Sequence, residues 1–203
     1  MAIAKLDSNQ RVVLNSDSQM DYVSKANEQK LMAAKTAAIN VVENALEAKN
    51  MGIDKLNVSF KQSVDGAEPK WQSYFINMQK NGNVSLKPFN SDVKDGSDLI
   101  YFNKVEKDGK SFLMLNEQNE AGKNFTNSLT TNTWQDKNGN EHTSLTARVN
   151  INDENLKQAL LDKGDGAYAV ISKEGISVTN KQEQEAAKAA AQNKEQPAKD
   201  NER

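Results

Sequence analysis

Apolar residues recur three, four or seven positions apart at Met32, Ile39, Val42, Leu46 and Ile53. From Leu56 onward they alternate with polar residues. The first spacing gives one stripe on a helix and the second gives one face of a strand. A helix is therefore predicted over 18–51. Asp17 or Ser18 caps its start, because a short oxygen-bearing side chain accepts from the free N–H groups of the first turn. Ala33, Ala34, Ala37, Ala38 and Ala45 favour the helix, and Gly52 supplies the left-handed residue that ends it. The stripe is expected to pack on the sheet that follows rather than to fill a partner's groove. Before it, residues 1–16 form a polar lead whose one apolar run, Val12-Val13-Leu14, reads as a strand or a loose arm.

The alternating region is predicted to hold strands at Leu56–Phe60, Trp71–Gln79, Val84–Leu86, Leu99–Val105, Ser111–Leu115, Phe125–Trp134 and Thr143–Ile151. Asp65-Gly66, Asn81-Gly82, Asp108-Gly109 and Asn138-Gly139 are hairpin turn pairs, since both residue types tolerate positive φ. Pro88 ends a strand because it has no N–H to give. A short helix is predicted at Glu154–Asp162, capped by Asn152 or Asp153 and stopped by Gly164. A last hairpin joins Tyr168–Ser172 to Ile176–Thr179. Residues 181–203 contain no large apolar side chain. They read as a disordered tail with transient helix around Glu183–Gln192, solubilising or partner-recruiting in role. The fold class is α+β and mostly antiparallel. The chain divides into an arm and helix at 1–53, a β-rich domain at 54–180 and a tail at 181–203.

Composition narrows the chemistry. Lys and Arg number 26 against 28 Asp and Glu, a formal charge of −2, which excludes nucleic-acid binding by net charge alone. There is no Cys and a single His, His142, so no disulfide, thiolate metal site or multi-histidine metal centre can form. Gly109-Lys110-Ser111 echoes the end of a phosphate-binding loop, but the required earlier Gly is Lys104 and the context is a hairpin. Asp136, Asn138 and Asn140 have the first three spacings of a calcium loop, but Glu141 and Ala147 stand where Gly and Glu are needed. Asp162 to Gly166 is better read as a helix end than as a loose cation loop. No dinucleotide or nucleophile motif is present. The expectation is a non-catalytic protein with no cofactor and no metal; enzymatic activity survives only as carboxylate-pair chemistry that no spacing singles out. No signal-peptide stretch or membrane span is visible, so a cytoplasmic location is expected.

One stretch suggests a ligand. On the strand ending at Trp134, the residues Thr126, Ser128, Thr130, Asn132 and Trp134 share a face. On the next strand His142, Ser144, Thr146, Arg148 and Asn150 face the same way, opposite Leu145, Ala147, Val149 and Ile151. An indole, a guanidinium and small hydroxyls on an open sheet face suit stacking of bases and contact with phosphates. Trp134 packed as ordinary core is the competing reading.

The segment Ala121-Gly-Lys-Asn-Phe-Thr-Asn-Ser-Leu-Thr-Thr-Asn-Thr-Trp-Gln-Asp-Lys-Asn-Gly139 resembles the strand and hairpin of bacterial single-stranded DNA-binding proteins of the OB-fold type. In that family a Thr-rich strand ends in Trp-x-Asp-Lys and a Gly turn. The resemblance continues through Arg148-Val149, the helix Asn155–Leu161, Lys163-Gly164 and the strand Tyr168–Ile171, and so covers Ala121 to Val178. It implies an OB-like barrel in which Trp134 stacks a base and Lys137 and Arg148 meet phosphate, with His142, Thr130 and Asn132 completing the face. The family's second Trp is replaced near Thr146-Ala147, its acidic C-terminal tip is absent, and the long N-terminal helix has no counterpart. The expected partner is single-stranded DNA, with RNA as the other strand type. A protein partner reached through the tail or the N-terminal helix, and self-association, are further expectations; a membrane is not. The alternative function is a protein–protein module, such as a small inhibitor or adaptor from a phage, plasmid or other mobile element.

Overall fold

The structure is a computed structural model. It describes residues 2–14, 22–23 and 27–194, with 22–23, 27–30 and 192–194 described by their backbone. The chain opens with strands β1 (Ala2–Leu6), β2 (Val12–Leu14) and β3 (Tyr22–Val23), followed by helix α1 (Asn27–Asn50). A meander follows: β4 (Leu56–Gln62), β5 (Lys70–Met78), β6 (Val84–Pro88), β7 (Ile100–Lys107) and β8 (Lys110–Leu115). Then come α2 (Glu120–Ser128), β9 (Thr131–Gln135), β10 (Glu141–Leu145), β11 (Ala147–Ile151) and α3 (Glu154–Lys163). The last elements are β12 (Tyr168–Ser172), β13 (Gly175–Thr179) and α4 (Lys181–Lys194).

Ten strands form one antiparallel sheet in the order β13-β12-β1-β2-β11-β4-β5-β6-β7-β8. A small second sheet has the order β3-β10-β9. The architecture is thus α+β and antiparallel, as the alternation implies, but the large sheet is open rather than closed into a barrel. Its end strands, β13 and β8, each pair on one side only among the described residues. The run Val12-Val13-Leu14 is a true strand, lying beside β1 and β11. The Asp108-Gly109 turn has φ of 53° and 73°, the positive pair that a tight hairpin between twisted strands requires.

Helix α1 packs on β4, β8, β10 and β11. Its buried face is Ala34, Ala37, Ala38, Val41, Val42, Ala45 and Ala48, with Ile39 and Leu46 at the margin. Met32, placed on the apolar stripe by its spacing, is 68% exposed. Small side chains let the helix axis approach the sheet closely, and the bulk in the core comes from the strands: Leu14, Val58, Phe60, Leu86 and Phe102 are fully buried. The helix does not reach back to 18 as predicted: Tyr22 and Val23 are strand β3, paired with Thr143 and His142, and α1 is described from Asn27, while the predicted cap at Asp17 or Ser18 lies outside the described residues.

A further predicted element is corrected. Phe125–Trp134 is not one strand: Glu120–Ser128 is helix α2, and only Thr131–Gln135 is extended. Local β preference of Phe and Thr loses to a tertiary anchor, because Phe125 inserts edge-on among Phe60, Tyr74 and Phe102 at ring distances of 5.1, 5.9 and 6.3 Å. Asn119 starts the helix, its Oδ1 accepting from Gly122 N while its Nδ2 donates to the Leu99 carbonyl. Asn119→Ala is expected to cost about 1 kcal/mol in urea unfolding, whereas a strand in this position would leave that substitution nearly silent. In the tail, helix is described over the stretch where transient helix is expected. Residues 181–194 are helical and 181–191 exposed along their length, with Lys163 Nζ 2.8 Å from Glu183 Oε1; the predicted disorder of 195–203 lies outside the described residues.

Tyr74 reports on the sealing of this core. Burial pushes its hydroxyl up to about 12, against a smaller opposing effect of its bond to Gln62. A folded value raised above the unfolded one means that this contribution to stability is complete below about pH 10 and is lost as pH rises towards 12. A spectrophotometric phenol titration is expected to show one tyrosine ionising last, together with unfolding.

Candidate nucleic-acid interface

Cross-strand register decides which side chains share the face of the sheet opposite the helices. Lys61 pairs with Trp71, Ser59 with Ser73 and Asn57 with Phe75. On the other side of β4, Arg148 pairs with Ser59 and Asn150 with Asn57. Residues directly opposite one another point the same way, so this outer face carries Trp71, Ser73 and Phe75 beside Asn57, Ser59 and Lys61, with Arg148 and Asn150 next to them. Helices α1, α2 and α3 bury their apolar residues in the core on the inner face, and no described helix covers the outer one.

Trp71 is 42% exposed, and the Arg148 guanidinium lies 4.0 Å from the centroid of its ring. Phe75 and Phe89, both exposed, stack at 4.2 Å with 25° between their planes. Between these aromatic groups runs a polar floor. Asn150 Nδ2 donates to Asn57 Oδ1 and to Ser59 Oγ, each at 2.8 Å, and Ser59 Oγ meets Ser73 Oγ at 2.8 Å. The alternation places Lys5, Lys61, Lys87, Lys107, Lys110 and Arg148 outward on the ten-stranded sheet, and no Asp or Glu at an outward strand position.

The nearest acid is Asp7, in the turn after β1. Arg11 holds it through its backbone N–H, its Nε and its Nη2, each at 2.9 Å. Burial works against the Asp7 carboxylate, but these hydrogen bonds and the Arg11 charge keep it below its ordinary range. Arg148 reaches the same carboxylate only at 3.9 Å. Its Nε is buried with no hydrogen bond. Burial and then the Arg11 charge lower Arg148 from the usual arginine value, with Asp7 opposing them. Two guanidiniums thus share one carboxylate, and the one lying on Trp71 is the less neutralised.

Against known proteins, the chain matches no family model, and no curated protein or solved structure is significantly similar to it.

The residues singled out from the sequence divide between two places. Trp134 is also 42% exposed, but it lies on the small sheet and stacks on His142, its cross-strand partner, at 4.5 Å and 17°. His142 Nε2 is 3.1 Å from Asp136 Oδ2. Asp136 organises the β9–β10 turn by accepting from Asn138 N, Asn140 N and Asn140 Nδ2. The Asn140 side chain first, and His142 second, hold the Asp136 carboxyl well below the ordinary carboxylate range. Lys137 is exposed at the tip of that turn. Asn132 faces the same side as Trp134, and its Nδ2 donates to Thr146 Oγ1 at 2.9 Å. Thr130 is not at the surface of either patch: its Oγ1 is buried without a hydrogen-bond partner, and its N–H donates to the Lys61 carbonyl.

Arg148 therefore shares its patch with Trp71 and not with Trp134. The strand Thr143–Ile151 breaks at Thr146, which passes the chain from the small sheet to the large one. His142 therefore lies on the small sheet and Arg148 on the large one. Trp71, Phe75 and Phe89 were missed from the sequence although the signal was present. Trp71, Ser73 and Phe75 have one parity, and the Asp65-Gly66 turn sets them opposite the polar positions of β4.

Proposed function

We propose that the protein is non-catalytic and binds single-stranded nucleic acid, DNA in the first place, across the outer face of the large sheet. The observation that carries this reading is Arg148 lying over the half-exposed Trp71 on a face whose outward strand positions hold no Asp or Glu. Every base has a flat π-face, so exposed indole and phenyl rings stack bases without reading sequence, for about 1–3 kcal/mol each. Outward lysines and the under-neutralised Arg148 meet phosphates between stacked bases, and the charge that matters is local, since the whole chain carries −2. The Trp134–His142 stack extends the surface beyond Thr146.

Titrating the full chain with a 40-nucleotide single strand at low salt is expected to quench tryptophan emission. Affinity is expected to fall steeply as salt rises, because bound phosphates release counterions. No quenching together with no mobility shift overturns the reading. A second reading, a protein–protein module, is favoured by the free edge of β8, where Phe112 and Met114 are exposed; it takes over if a partner stays bound after nuclease treatment while oligonucleotides do not bind.

A further inference from the structure

We propose that the protein forms a two-fold dimer in which β8 pairs antiparallel with β8 of a second copy, centred on Leu113. The inference concerns the edge of the large sheet and stands apart from what its outer face binds. Lys107 and Lys110 flank the two-residue turn Asp108-Gly109 and lie opposite each other on β7 and β8. The backbone groups of such a flanking pair bond to each other, and the direction then alternates along the strand. Lys110, Phe112 and Met114 thus turn their N–H and C=O groups towards β7, and Asn116 N continues the phase by donating to the Tyr101 carbonyl at 2.8 Å. The backbone groups of Ser111, Leu113 and Leu115 point the other way, where β8 meets no strand among the described residues. A row of alternating donors and acceptors is the template for one more strand.

The side chains of β8 select the same strand as its partner. With Leu113 opposite Leu113 of the second copy, Phe112 falls opposite Met114 and Met114 opposite Phe112. Both are exposed in the single chain, and each pair joins a phenyl ring to a thioether. Lys110 falls opposite Asn116, so no charge on the strand meets its like. On the inner side, Leu115 of the second copy falls opposite Ser111, at the mouth of a groove of about 370 Å³ between α1 and β8. Leu46, Met78 and Leu113 line that groove, with Glu43 and Glu47 set there against Lys104. Charge guards this edge only at its hairpin end, since Ser111 to Leu115 include no charged residue and no proline. The other edge, β13, turns outward only the backbone of Ile176 and Val178 by the same count, and α4 follows it directly. Pairing β8 with β13 of another copy leaves a free edge at each end and grows without limit, whereas β8 on β8 closes at two. An interface of this width falls below about 1,200 Å², so the dimer is a weak one.

The test is sedimentation velocity of the full chain without nucleic acid. A monomer is expected at about 1 µM and a dimer at about 200 µM. Two double variants then test the register. Phe112→Lys with Met114→Lys sets lysine opposite lysine at both outer pairs, and is expected to stay monomeric at the higher concentration. Phe112→Lys with Met114→Glu sets lysine opposite glutamate at both pairs, and is expected to recover the dimer. Both variants remove the same apolar surface, so only the proposed pairing separates them. The two positions are exposed, and circular dichroism is expected to show the native fold in each. A native chain that is monomeric at about 200 µM overturns the inference. So does a Lys/Lys variant that still dimerises, or a Lys/Glu variant that is as monomeric as the Lys/Lys one. The outer-face reading stands or falls separately, on the oligonucleotide titration.

Discussion

Replacing Phe125 with alanine is expected to destabilise the protein by about 3–5 kcal/mol, the range for removing a buried aromatic ring. Phe125 is 2% exposed and is the large apolar residue by which α2 is held. Its ring meets Phe60, Tyr74 and Phe102 edge-on. Each such pair is worth about 0.5–1.5 kcal/mol beyond area burial, and an alanine leaves all three rings facing a void. Collapse of that void is limited, because Phe60 and Phe102 lie on separate strands of a paired sheet. Phe125→Leu fills most of the volume and is expected to lose well under half as much. Urea unfolding followed by far-ultraviolet circular dichroism checks both. A midpoint for Phe125→Ala close to that of the native chain would show that α2 is not anchored on the aromatic cluster.

Trp71→Ala is expected to weaken single-strand binding at least tenfold, from the loss of roughly 1–3 kcal/mol of base stacking and of the surface on which Arg148 is spread. Trp134→Ala is expected to weaken it less, because that ring already spends one face on His142 and lies away from Arg148. Arg148→Gln is expected to reduce the slope of log affinity against log salt by about one, as one phosphate contact is lost. Trp71 is half-exposed, so its replacement is expected to change stability little, and a binding defect then reads as a ligand contact. The opposite ranking, with Trp134→Ala severe and Trp71→Ala silent, would move the site to the small sheet.

Of the two tryptophans, Trp134 stands in the segment that resembles a known strand and hairpin, whereas Trp71 stands in an ordinary alternating strand. Half of that resemblance changes meaning in the fold, since residues 120–128 are helical. The hairpins were legible because Asp-Gly and Asn-Gly pairs dictate backbone conformation locally. The last hairpin and the short helix at 154–163 were legible for the same reason: turn residues and caps act within a few positions. The buried face of α1 was harder to read, because its alanines look like propensity rather than packing. Helix α2 was not legible at all, because what holds it is the company of three rings that are distant in sequence. Pairing of Arg148 with Ser59, and hence its meeting with Trp71, depends likewise on β11 returning to β4.

That return governs how the chain is assembled. Strand β4 waits for β11, and β1 waits for β12, so each pairing joins segments far apart along the polypeptide. During synthesis the meander from β4 to β8 emerges with both flanks bare, and the flank that a later strand covers is β4. Only when residues 147–172 have left the ribosome can the N-terminal strands find their slot. Most of the free-energy gain therefore arrives late, folding is slow for a domain of this size, and nascent or truncated chains are the species most prone to aggregate.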